Sequence, residues 1–339
     1  MSTELEPITP DEAIQMYLRD KQSEFADATL YSHKSRLGHF LRWCHSNNVD
    51  DLNELTGRQL HRYRLWRRDD GDLSKVSEKT QMDTIRVFIR WCESIDAVPP
   101  DMATKVTSPS LAAGDNVRDE LVDVDQAEAI LEYLNRYEYG SERHVTFLLM
   151  WRAALRRGSV VALDVTDYNS KDASLEVRHR PETDTGLKNK KEGERFIALT
   201  STTTDVLDGW VNQRRPDVTD VHGREPLLAT KQGRAHPTTI QTYIYSLTRP
   251  CLIDNECPHD RDVMECDAAK DRSKASKCPS SSSPHPVRRG ALTHWLRSDL
   301  PESFAVSRAN LSPEILREHY DRRSRRQKMD QRRKYLDEF

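Results

Sequence analysis

The 339-residue sequence has no apolar run approaching the roughly 18 residues that suggest a membrane span. It opens without a basic-then-apolar leader. Membrane-embedded and secreted classes are therefore set aside, and a cytoplasmic location is expected. An excess of either charge is also missing. The 52 Lys and Arg against 55 Asp and Glu give a formal net charge of -3, so global charge does not announce a nucleic-acid partner. Apolar residues are few, at 36%, and the mean hydropathy is -0.80, so a core must use them efficiently. The six cysteines form no CxxC pair. In a reducing compartment they are thiols or metal ligands.

What is present is local. The first residues are acidic (Glu4, Glu6, Asp11, Glu12), whereas Arg317 to Lys334 hold nine basic residues and three acidic ones. Such a run is either a solvated helix face or a phosphate contact. The length suits two ordinary domains. "FLRWC" ending at Cys44 and "FIRWC" ending at Cys92 repeat one pattern. Leu37, Phe40, Leu41 and Cys44 form an apolar stripe at helical spacing, as do Ile85, Phe88, Ile89 and Cys92. Both cysteines are expected in the core. Arg42 and Arg90 lie beside the stripes and are candidates for DNA phosphate contact. Thr29 and Thr84 stand near possible helix starts, of which only Thr29 opens a clear pattern, and Thr56 is a candidate cap of a helix between them. Residues 8–98 read as an all-helical domain. Residues 99–118, rich in proline and small polar residues, read as a linker.

Residues 119–339 have mixed character. Asp123 or Asp125 can cap a first helix. "VTFLLMWRAALRRGSVVAL" is apolar enough for a buried helix ending near Gly158. "SLEVRHR" and "RFIALT" are strand-like, with the lysine-rich "GLKNKKEGE" between them as a hairpin tip. "HPTTIQTYIYSLTRP" is a further helix. An irregular insertion, 251–284, follows, then two helices starting near Arg288 and Ser312. The expected class is mainly α with a small β-sheet in the C-terminal domain.

Five residues stand where packing alone does not call for them. Arg156 ends an apolar helix and needs solvent or an anion. His285 and Arg288 are three apart and share a helix face. Lys188 projects from the hairpin tip, and Tyr320 lies on the last helix. Phosphoryl transfer can use such a set. Two guanidinium groups neutralise non-bridging oxygens. A histidine accepts the phenol's proton, a lysine protonates the leaving alkoxide, and the tyrosine attacks phosphorus. Arg157 and Arg289 flank the proposed arginines. Helical phase favours Arg156, and spacing from His285 favours Arg288. His319 points about 100° away from Tyr320 along a helix and is rejected as its base.

The ordered set R…K…HxxR…Y behind a helical domain resembles the tyrosine recombinases, the phage integrase or Xer/Cre-like family, over nearly the whole chain. "ALRRGSVVALDVTDY" resembles the segment carrying the first catalytic arginine, which implies Arg156. "HPVRRGALTHWL" resembles the HxxR box, which implies His285 and Arg288. "SPEILREHYDRRS" resembles the nucleophile helix, which implies Tyr320. The insertion and the "RANLSPEILREHYD" ending look closest to integrases of haloarchaea and their viruses. The resemblance implies a helical, SAM-like core-binding domain plus a catalytic domain. It implies site-specific recombination through a 3′-phosphotyrosyl intermediate, double-stranded DNA with a specific site, and no cofactor for catalysis. It also implies a homo-tetramer on DNA, with a monomer or weak oligomer alone. The C-terminal segment 325–339 would dock on a neighbour through Met329 and Tyr335. Surrounding arginines would favour a phenolate at Tyr320 and bind backbone phosphates.

The sequence departs from the family pattern at one corner. Nine residues before Tyr320, where a histidine or tryptophan is common in the family, stands Leu311. It cannot donate, and Asn310 is the candidate substitute. Lys188 is favoured as the general acid over Lys190, with Lys191 also in the cluster. Lys190 and Arg289 are further DNA-contact candidates. Cys251, Cys257, Cys266 and Cys278, separated by five, eight and eleven residues, with His259 nearby, are candidate ligands of a structural zinc. Two other readings share the chemistry or the fold: a type IB topoisomerase, and a non-catalytic DNA-binding regulator.

Overall fold

The computed structural model describes residues 5–112, 114–117, 119–298, 300–333 and 336. Glu4, Lys334 and Tyr335 lie outside them. The chain divides into two compact units, Met1–Val117 and Arg118–Phe339.

Among the described residues the first unit holds four α-helices: α1 (Pro10–Asp20), α2 (Asp27–Ser46), α3 (Gly57–Asp70) and α4 (Lys75–Ser94). Their starts are chemically marked. Thr56 caps α3 in a reciprocal pair with Gln59, satisfying two otherwise orphaned backbone donors. Ser74 caps α4 by accepting from Ser77 N at 3.3 Å. Thr84 starts no helix; it is buried in the middle of α4. Both apolar stripes point inward: Leu37, Phe40, Cys44, Ile85, Phe88, Ile89 and Cys92 are all fully buried. Burial pushes the Cys44 thiol up to about 12 and the Cys92 thiol higher still, so both stay protonated core residues. Met102, Ala103 and Val106, from the stretch expected to be a linker, are buried in this same core.

The second unit begins with α5 (Val124–Tyr137), capped by Asp123, whose carboxylate accepts from Gln126 N at 2.8 Å. It continues with α6 (Glu142–Arg152) and α7 (Arg157–Ala162). The apolar run expected to form one helix ending near Gly158 is thus broken at 153–156, where Ala154 has φ +45°. The break has a physical reason. It frees the Ala154 carbonyl, which accepts from Arg288 Nη1. Helix α6 is buried on all sides, with Arg143, His144 and Thr146 among its apolar residues.

A three-stranded antiparallel sheet follows: β1 (Tyr168–Asn169), β2 (Ser174–Val177) and β3 (Arg195–Ala198). Leu175 pairs with Ile197, and both are buried; Glu176 pairs with Phe196 on the outer face. Then come α8 (Ser201–Gly209), a two-stranded ribbon of β4 (Ala229–Thr230) and β5 (Gly233–Arg234), and α9 (Pro237–Leu247). The insertion contains only the short α10 (Asp267–Lys270) and 3-10 turns. Four helices close the described chain: α11 (Pro284–Arg297), α12 (Glu302–Ala309), α13 (Pro313–His319) and α14 (Arg325–Arg333). Helix α11 starts at Pro284, four residues earlier than expected, and α12 was not foreseen.

Helix α11 packs against α5, α6, α9 and α12. The contact is close: a Cβ on Gly290 would collide with the Val122 carbonyl, so no larger residue fits that approach. The fold class is mainly α with small antiparallel sheets. Among the described residues, no helix is long and apolar enough to cross a membrane.

Candidate active site

Arg156 is the N-cap of α7, His285 and Arg288 lie on the first turns of α11, and Tyr320 ends α13. Lys188 sits in the long β2–β3 loop. That loop is anchored at its base, where Arg180 Nη1 donates to the buried Asp167 carboxylate at 3.0 Å. Arg156, Lys188, His285 and Arg288 line one cavity of about 440 Å³, and none of its lining residues is acidic. Tyr320 lies just behind that lining, 5% exposed. Its hydroxyl is 3.5 Å from His285 Nε2. Its backbone is held from α11, where Thr293 Oγ1 donates to the Tyr320 carbonyl at 2.8 Å.

Arg288 is almost wholly buried. Nη1 donates to Ala154 O, and Nη2 donates to Ala309 O at 2.6 Å, while Nε has no hydrogen-bond partner among the described residues. Burial and the Arg156 charge push its pKa down to about 9, with the Tyr320 charge and the hydrogen bond that Arg288 donates to the Tyr320 side chain partly offsetting them. It remains a cation at neutral pH. Arg156, half-buried, donates from Nη2 to the Asn310 carbonyl at 3.0 Å. Its pKa is lowered by burial and raised in part by Tyr320. His285 keeps one exposed side, yet the protein packed around it, then Arg288, Arg289, Lys188 and Arg156, hold it down to about 4. At neutral pH it is therefore uncharged and can accept a proton.

Other residues fall differently from expectation. The cations facing the phenol do not come from its own basic run. There, Arg317 pairs with Glu302 at 3.1 Å, Arg322 with Asp119 at 3.1 Å, and Arg323 with Asp321 at 2.8 Å. Asn310 does not aim its side chain at the cavity. Its Oδ1 accepts from Asn189 Nδ2 at 2.6 Å, and its Nδ2 donates to Glu192 O at 2.6 Å, both in the β2–β3 loop. Arg289 is buried and donates to Glu120 O rather than facing solvent. Lys190 and Lys191 line a neighbouring groove with Lys188, not the main cavity. In the first unit Arg90 is exposed; Arg42 is exposed but pairs with Asp70 at 2.5 Å and lies over the Trp66 ring. His319 touches Tyr320 only ring to ring, 6.5 Å between centroids.

Two arginines escaped the sequence reading. Arg195 donates to Arg308 O at 2.8 Å and Gly193 O at 2.7 Å, and burial, then Arg156 and Arg308, push it down to about 10. Arg308 donates to Ala198 O at 2.8 Å. Both add positive potential behind Arg156. Only their place beside a strand and a helix end could have flagged them. The insertion thiols line a separate small cavity. Among the described residues, no three or more His, Cys, Asp or Glu side chains stand arranged to hold a metal ion.

Acid stability follows from these shifts. His285 and the fully buried His144 titrate near 4 when folded, against about 6.5 unfolded. For Asp220, hydrogen bonds from the Arg224 amide and the Arg234 guanidinium outweigh burial; for Asp321, those from Arg323 and Lys328 do. Both carboxyls are held near 2, against about 3.9 unfolded. For each of these four groups the unfolded form binds more protons in its window, so together they lower stability as pH drops from about 6.5 to about 2. His144 alone contributes up to ~3 kcal/mol of this loss. Denaturant midpoints measured across that range check the sign; a flat profile between about 6.5 and 4 contradicts it.

The fold is the one found in tyrosine recombinase and integrase structures. Among these is the Tn1549 transposon integrase in complex with a circular intermediate DNA, at 12% identity over 98% of this chain and 100% of that one, TM-score 0.66. Another is a lambda integrase dimer bound to a COC′ core site, at 14% identity over 94% and 97% of the two chains, TM-score 0.62. The N-terminal domain of a phage integrase/site-specific recombinase from Haloarcula marismortui is 33% identical over 31% of this chain and 99% of that one, TM-score 0.30. No family model matches the chain, and no curated protein matches it in sequence.

Proposed function

We propose that the protein is a site-specific DNA recombinase that cuts and rejoins DNA through Tyr320. One observation carries the reading: a buried phenol lies within 3.5 Å of a histidine held neutral, beside Arg288 and a cation-lined cavity without acid. A phosphodiester is the anion that such a cavity suits. Arg156 and Arg288 neutralise its non-bridging oxygens and the charge that grows in the transition state. His285 accepts the phenolic proton, and the Tyr320 oxygen bonds to phosphorus as the bond to the 5′ oxygen breaks. Lys188 gives a proton to that oxygen. The products are a 3′-phosphotyrosyl link and a free 5′-hydroxyl, and attack by a partner strand's hydroxyl reverses the step. The link conserves bond energy, so no nucleotide triphosphate or metal is needed for the chemistry.

In this reading Asn310 is a positioning residue. Its backbone carbonyl holds Arg156 while its side chain holds the loop that carries Lys188. A tetramer on two DNA sites, formed in the cytoplasm, completes the reaction. The C-terminal segment then docks on a neighbour, with the half-exposed Met329 as one anchor. The sequence features resembling haloarchaeal integrases support a host among the archaea.

The test is to expose genomic DNA to the protein, trap protein-linked ends with denaturant, and sequence them. Adducts concentrated at one short motif, with strand exchange between two copies of it, are the expected result. Relaxation of any supercoiled plasmid without site preference would mark a type IB topoisomerase. Gel shifts without adducts would mark a non-catalytic regulator.

A further inference from the structure

The insertion between α9 and α11 poses a physical problem. From Cys251 to Ser283 only Ala268, Ala275 and Cys278 are buried apolar residues. Such a segment cannot bury enough surface to offset the entropy of ordering it. Yet its end sets the start of the helix that carries His285 and Arg288. Ser282 N donates to Thr248 Oγ1 at 2.8 Å, and Arg249 Nη1 donates to Ala268 O.

Something else has to hold it, and its four cysteines converge. Cys251, Cys257, Cys266 and Cys278 line a single cavity of about 10 Å³ free volume, the scale of one water-sized sphere. The sequence offered these four as candidate ligands without a CxxC knuckle to bring them together. Arg249 and Arg261 also line the cavity. Arg249 also braces the Ser246 and Ala268 carbonyls, and two guanidinium charges stand beside four thiols. They match a centre of four thiolates and one divalent cation, whose net charge is minus two.

We propose that the insertion binds one zinc ion through Cys251, Cys257, Cys266 and Cys278, and that this clip fixes the amino-terminal turn of α11. The sulfurs as they stand do not form a finished coordination shell. Cys251, Cys257 and Cys266 are partly exposed, and Cys278 is buried. Binding releases the four thiol protons, so affinity falls with acid. His259 lines the same cavity, but its Nε2 is hydrogen-bonded to Ser280 Oγ at 2.9 Å, which makes it a support rather than a ligand. Zinc suits the site because four sulfurs in a closed pocket leave no open position for chemistry.

The test is elemental analysis of the full-length protein purified without added chelator. About one zinc per chain is expected. Replacement by cobalt should give the visible and near-ultraviolet bands of tetrahedral thiolate ligation. Cys257→Ser and Cys266→Ser should each lower the metal content and shift the cobalt spectrum, while Cys92→Ala leaves both unchanged. Chelation should raise amide exchange across 251–290. Protein that is metal-free and gives no thiolate band on adding zinc or cobalt overturns the proposal. So does iron–sulfur absorption, or a metal content that the cysteine variants do not change. None of these readouts depends on recombination, so the site can fail without the proposed function failing.

Discussion

Tyr320→Phe leaves DNA binding intact and reduces covalent attachment to a nicked suicide substrate by a factor on the order of 10⁴ or more. The substitution removes one oxygen and nothing else. The ring stays buried in the same core, and the backbone contact from Thr293 does not involve the side chain. The lost atom is the one within 3.5 Å of His285, so the nucleophile and the proton donor vanish together. Denaturing gels that resolve protein-linked DNA give the readout, and gel shifts report binding. Adduct formation by the phenylalanine variant at the wild-type rate removes Tyr320 from the mechanism.

Arg288→Ala and Arg288→Lys give the second large effect, and the two variants separate two roles. The side chain is buried and bridges the Ala154 and Ala309 carbonyls, so truncation leaves a cavity and two unsatisfied acceptors. The alanine variant should lose about 2–5 kcal/mol of stability. Its effect on cleavage is then mixed with its effect on folding. Lysine keeps the charge and most of the volume, but one ammonium cannot replace a planar fork that spans two carbonyls and also meets phosphate. Cleavage by Arg288→Lys should fall by roughly 10²–10³ while its melting temperature stays closer to that of the wild type. Wild-type cleavage with lysine at 288 would show that the guanidinium only braces the fold.

The sequence announced both halves of the fold unequally. The first unit was legible because its helices follow a simple rule. One apolar face per helix, repeated in "FLRWC" and "FIRWC", has no stable place except a shared core. Thr56 and Asp123 were readable as caps because a short polar side chain before a helix satisfies orphaned amides wherever it occurs. Thr84 failed as a helix start because threonine is also accepted inside a buried helix face. The break between α6 and α7 was invisible, since nothing in "WRAALRRG" resists helix. A remote arginine, Arg288, makes use of the carbonyl that the break exposes.

The candidate site shows the same division. Residue types and their order singled out Arg156, Lys188, His285, Arg288 and Tyr320, because phosphoryl transfer needs cations, a base and a nucleophile in one chain. Which cations face the phenol was decided only by folding. The arginines nearest Tyr320 in sequence are spent on Glu302, Asp119 and Asp321. Those nearest in space arrive from α7 and α11. Sequence proximity along a short helix distributes neighbours around its axis, whereas packing of α11 against α6 and α12 brings distant groups onto one point. The chain's order of residues thus set what chemistry is available. The tertiary structure set where the charges go, because a buried cation takes its position from the carbonyls and rings that three separate elements bring to it.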